Sequence, residues 1–105
     1  MGMDLKLLPF CGDGITSNFS HTVLDCPRNY DVFEKVRKIP QMPVDDDFNS
    51  YFSDELHYGQ THETPYGYRL TWCRAKDLKK CGFTGPVGAY LEKLKDRHKV
   101  ALYWC

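Results

Sequence analysis

Nowhere in its 105 residues does the chain carry an apolar run near the roughly 20 residues that a membrane-spanning helix needs, so a bitopic or polytopic membrane protein is excluded. Net charge is missing too. Fourteen Lys and Arg balance fourteen Asp and Glu, so neither bulk attraction to nucleic acid nor acidic mimicry of it follows from the total. No Cys-x-x-Cys, His-Glu-x-x-His or comparable pair occurs among the cysteines and the four histidines, so metal-ligand spacing is absent and no cofactor is called for. Internal repeats and low-complexity linkers are lacking, which points to one domain over residues 1–105. No secretory segment is expected. The five cysteines (Cys11, Cys26, Cys73, Cys81, Cys105) are odd in number and irregularly spaced, which argues for reduced thiols and a cytoplasmic location. Met1-Gly2 reads as a cloning remnant ahead of a natural start at Met3.

What the chain does hold is unevenly placed. From Pro40 to Tyr68 there are six acidic residues and no Lys or Arg; from Arg69 to Lys99 there are nine basic residues against three acidic ones. The molecule is expected to be electrically two-ended. Aromatic residues make up 14% of the chain, with seven Tyr against six Phe, so many rings combine an apolar body with a polar tip. Such rings pack cores and also line binding surfaces.

The apolar spacing predicts an α+β fold: a small central sheet of about three to four strands with two to three helices packed on it. Leu5 to Phe10 reads as a strand closed by Pro9 and a Gly12-Asp13-Gly14 turn. Ile15 to Asp25 reads as loop, with an irregular strand around His21 to Leu24 as the alternative. Asn29 can cap a helix in which Val32, Val36 and Ile39 share a face until Pro40 forbids continuation, giving a helix over Tyr30 to Lys38. Gln41 to Gly59 reads as a long loop with a helical turn near Ser50 to Leu56. Tyr68 to Arg74 alternates like a strand, and Ala75 to Cys81 forms about two helical turns ended by Gly82. Gly85-Pro86 starts a helix striped by Val87, Tyr90, Leu91 and Leu94, with Arg97 and His98 favouring its C-terminal end. Val100 to Trp104 is apolar without alternation, as in a strand covered on both faces near the sheet centre.

The segment from His57 to Trp72 concentrates rings, hydroxyls and amides around two glycines and a proline, which suits a nucleotide or another flat polar ligand. In that reading Tyr58, Tyr66, Tyr68 and Trp72 supply stacking area, Arg69 and Arg74 supply charge, and Gln60, Thr61 and His62 fix orientation. Structurally, the same residues also suit a hairpin whose Tyr-Gly pairs make turns and whose rings anchor it to the core. Asp45-Asp46-Asp47 lacks the glycine and terminal glutamate of a calcium loop and reads as a solvated run. Cys73 and Cys81 lie among Arg74, Lys76, Lys79 and Lys80, but their strand and helix-end positions read as buried, inert thiols. The four cations read as a wet helix face, with phosphate contact beside Trp72 as the alternative.

The stretches Arg28-Asn29-Tyr30-Asp31-Val32-Phe33 and Tyr66-Gly67 with Leu70-Thr71-Trp72, Ala75 and Asp77-Leu78 resemble small, functionally unassigned proteins associated with phages and prophages, over about half the chain. The resemblance implies an accessory viral protein that antagonises a host defence system, with a host protein or a small nucleotide ligand as its partner and no catalytic residues. Two other classes stay open: a small hydrolase acting on a nucleotide or phosphorylated substrate through His57 or His62 as general base, and a structural or assembly protein of a virion. A membrane partner is not expected, nucleic acid is the lesser alternative, and a homo-oligomer is compatible with everything above.

Overall fold

The computed structural model describes residues 4–45, 47–50, 52–53, 58–59 and 69–104, with the backbone alone at 49, 50, 52, 53, 58 and 59. Five strands form one antiparallel sheet in the order β3-β1-β9-β8-β4. These strands are β1 (Leu5–Pro9), β3 (Leu24–Asp25), β4 (Met42–Pro43), β8 (Thr71–Arg74) and β9 (Lys99–Trp104). Two small pairs stand apart from it: β2 (Phe19–Ser20) runs parallel to β5 (Asn49–Ser50), and β6 (Phe52–Ser53) antiparallel to β7 (Tyr58–Gly59). Three helices complete the described elements: α1 (Tyr30–Arg37), α2 (Ala75–Lys79) and α3 (Gly85–Lys93). The fold class is α+β, with five strands in the sheet instead of three or four.

β9 lies at the centre of that order, paired with β1 through Leu7↔Leu102 and with β8 through Trp72↔Ala101. Its neighbours explain its lack of alternation. Val100 and Leu102 face a core shared with Leu5, Leu7 and Cys73 and closed by Val32, Phe33 and Val36 of α1, Leu78 of α2, and Val87 and Leu91 of α3. Ala101 and Tyr103 face the opposite side, against Leu8, Phe10, Val44, Phe48 and Leu70. Both faces of the sheet are therefore buried.

Local chemistry sets the helix ends. The Asn29 side chain accepts from the Val32 N–H and caps α1. Gly82, at φ 88°, follows the end of α2 in a conformation that suits glycine. Gln41 links two elements: its Nε2 donates to the Val36 carbonyl at 3.2 Å, and its Oε1 accepts from Thr71 Oγ1 at 2.6 Å. At the sheet edge, Pro43 sits one residue before Val44, whose N–H donates to the Leu70 carbonyl. The missing N–H of Pro43 therefore falls on the outward side, where it blunts the edge.

Several expectations need correction. The stretch from Ile15 to Asp25 is not simply loop, because Phe19–Ser20 and Leu24–Asp25 each pair with a distant partner. The helical turn expected near Ser50 to Leu56 gives way to strand at Asn49–Ser50 and Phe52–Ser53; residues 54–56 lie outside the described set. Such two-residue strands leave too few positions for a period, so their partners decide them. α3 ends at Lys93, with Leu94 already extended at ψ 146°, so His98 does not sit on its last turn. The His98 ring is instead buried, its Nε2–H donating to the Phe10 carbonyl at 2.7 Å. Among the described residues no helix is long and apolar enough to cross a membrane.

Candidate functional site

Strand alternation sorts β8 cleanly. Cys73 points into the helix-covered core, while Trp72 packs on the cluster of the other face. Arg74 lies two residues on from Trp72 and so shares its side. The antiparallel register places Lys99 of β9 directly opposite Arg74. Like charges thus face each other across the ladder, an arrangement that destabilises a sheet.

Two aromatic rings offset that repulsion. Lys99 Nζ stands 4.8 Å from the Trp72 ring centre and 5.7 Å from that of Phe10, and Arg74 Cζ stands 5.1 Å from Trp72. Each cation over a ring contributes about 0.5–2 kcal/mol. Arg74 Nη1 also donates to the Arg97 carbonyl at 2.7 Å, which holds the guanidinium in place. The Lys99 backbone is held from both sides: its N–H donates to the Gly14 carbonyl at 2.8 Å and its carbonyl accepts from the Phe10 N–H at 3.0 Å. Trp72, Arg74 and Lys99 are all half-buried.

Of the residues singled out from the sequence, Trp72 and Arg74 are brought together. Arg69 donates through Nη1 to the Val44 carbonyl at 2.9 Å, which secures the chain just past β4. Tyr58 lies in β7 with only its backbone described, and Gln60, Thr61, His62, Tyr66 and Tyr68 lie outside the described residues, as does His57. Lys99 and Phe10 are the site residues that sequence reasoning missed. Their signal is a pairing register, and nothing local in the sequence encodes it.

The neighbouring basic helix face is partly engaged within the fold. Lys79 Nζ donates to the Leu94 carbonyl at 2.6 Å and lies 3.1 Å from Asp96, whereas Lys76 and Lys80 are exposed. Cys73 and Cys81 are buried as expected, and Cys26 is buried as well. Burial, reinforced by the charges of Asp77 and Cys81, pushes Cys73 up to about 12, and burial first, then Asp25, pushes Cys26 to about 12. Cys81 is raised mainly by burial, against the lowering effect of Lys35. None of the three is a ready nucleophile at neutral pH. Asp45 and Asp47 are exposed, Asp47 accepting from Asn18 Nδ2 at 2.8 Å, and among the described residues no three His, Cys, Asp or Glu side chains form a group able to hold a metal.

Comparison with protein-family models, curated proteins and solved structures finds no significant match to this chain. The candidate site therefore stands on its own geometry.

Proposed function

We propose that this chain is a small non-enzymatic binding protein of the phage accessory type, which antagonises a host system by holding a nucleotide signal or by covering a host protein. The observation that carries the reading is the half-buried Trp72–Arg74–Lys99 group, in which two cations meet across a ladder with no carboxylate paired to either among the described residues. A fold gains nothing from that juxtaposition alone, whereas an anionic partner turns it into attraction. Of the two targets, the phosphorylated small ligand suits this group better, because phosphate oxygens can meet both cations at once.

The test is a thermal shift of the full chain with a panel of cyclic and linear nucleotides, followed by chemical analysis of the recovered ligand. A bound nucleotide at a hundredfold excess over its Kd stabilises by about 2.7 kcal/mol, and it should be recovered intact. Turnover of the nucleotide would overturn the non-enzymatic reading. A stable oligomer that responds to no nucleotide and to no host protein would favour an assembly role.

A further inference from the structure

Three features of the β8–β9 surface point beyond a general binding role to the chemical group that is held there. The first is the donor set. One Arg74 nitrogen is engaged with the Arg97 carbonyl, and the rest of its fork has no acceptor among the described residues. Lys99 Nζ likewise has no carboxylate or carbonyl partner there and rests on two ring faces, which attract its charge without using its three N–H donors. Trp72 Nε1–H has no acceptor among the described residues either, and it is not a buried, unsatisfied atom, so water or a ligand can reach it.

The second feature is rigidity. The Lys99 backbone is held by Gly14 and Phe10 while its Nζ rests against two rings, and one Arg74 nitrogen is bonded to the Arg97 carbonyl, so both cations are restrained before any ligand arrives. Pre-placed donors save the ordering cost that flexible surface lysines incur on binding. The third is what Trp72 is doing. With two cations against its ring, the indole serves as the wall that fixes them and not as a free platform for a stacked base.

We infer that Arg74 and Lys99 form a clamp for the phosphate of a nucleotide, with Trp72 positioning both cations and offering its Nε1–H as a third donor. The clamp rests on the binding function proposed above and names the part of the ligand held at this surface. Arg74 presents two parallel N–H bonds to two phosphate oxygens, and Lys99 serves a third as a point charge. The phosphate also cancels the cross-strand repulsion, a gain that an uncharged ligand lacks.

The experiment is a calorimetric titration of the full chain with inorganic pyrophosphate, ADP and succinate at constant ionic strength, on the wild type and on Lys99→Gln, Arg74→Gln, Lys99→Arg and Lys93→Gln. The wild type should bind pyrophosphate and ADP, with succinate at least tenfold weaker. Lys99→Gln and Arg74→Gln should each lose tenfold or more, while Lys99→Arg stays within a fewfold and Lys93→Gln, an exposed change on α3, leaves affinity unchanged. Retention of Lys99→Arg binding separates loss of charge from loss of fold. ADP binding at least as tightly as pyrophosphate supports a nucleotide source; pyrophosphate binding with ADP excluded overturns it. Undiminished ADP binding in both Gln variants overturns the clamp and leaves the binding function standing, whereas a wild type that binds no nucleotide overturns the clamp and the nucleotide form of that function together.

Discussion

Gly14 and His98 show how much a single position can carry. Gly14 sits at φ 70°, and a Cβ built there would lie 2.3 Å from the His98 ring. Gly14→Ala therefore combines backbone strain with displacement of a buried ring that donates to Phe10, and should cost about 2–5 kcal/mol in urea unfolding, from about 1–2 for the backbone and 1–3 for overpacking. Gly12→Ala makes the contrast, since at φ 63° it meets nothing within 4 Å and should cost only the backbone part, about 1–2 kcal/mol. The Gly12-Asp13-Gly14 turn was legible in the sequence. Its chemistry is an Asp13 carboxylate accepting from the Ile15 and Thr16 N–H groups, which hold it down at about 2. The place of His98 was not legible, because its partner Phe10 lies 88 positions away.

The thiols give a second prediction at this scale. Cys26 and Cys73 are raised from 9.0 to about 12 in the fold, so between those values the unfolded chain releases protons that the native state retains. Stability therefore falls as pH rises from about 9 towards 12. Urea midpoints should drop over that range, and Cys73→Ala should show a shallower fall than the wild type. At pH 8 in the native state a thiol reagent should label the half-exposed Cys11 ahead of Cys26 and Cys73.

Among the elements, α1 is the one whose limits follow most directly from local chemistry. Asn29 caps it, Val32, Phe33 and Val36 are buried, and Ile39-Pro40 follows its end. Asn29→Ala should cost about 1 kcal/mol, read as a lower urea midpoint at unchanged slope, while Asn29→Asp should cost less. α2 and α3 have no side-chain cap at all, and they hold their places through Leu78, Val87 and Leu91 in the shared core. Their existence was legible from the apolar spacing, but the end of α3 was not: Arg97 and His98 are residue types that suit a helix C-terminus, and the chain had already turned extended at Leu94. The short pairs β2–β5 and β6–β7 were missed for a related reason. Two residues carry no periodicity, and the contact that makes Phe19–Ser20 a strand comes from Asn49–Ser50.

At the scale of the whole molecule, β9 joins the two cores. Leu102 is fully buried towards the helices, and Leu102→Ala should cost about 2–5 kcal/mol in denaturant unfolding. Phe48 anchors the other face through its ring contact with Phe10, at 4.9 Å between centres. Phe48→Ala should cost about 3–5 kcal/mol, and because Phe10 also touches Lys99, it should weaken pyrophosphate binding as well. A variant that destabilised the domain while leaving that binding intact would separate the core on this face from the clamp.

The amino-acid sequence by itself determined the α+β class, the capped helix α1, the apolar strand β9 at the sheet centre and the inertness of Cys73 and Cys81, because each follows from spacing, caps and composition within a few residues. Tertiary structure alone decided that Lys99 faces Arg74, that Trp72 is walled by cations, and that His98 lies under Gly14. Arg74 lies only two residues from Trp72, but the other contacts join residues 25 to 84 positions apart through strand register and turn geometry, and a register exists only once the strands have paired.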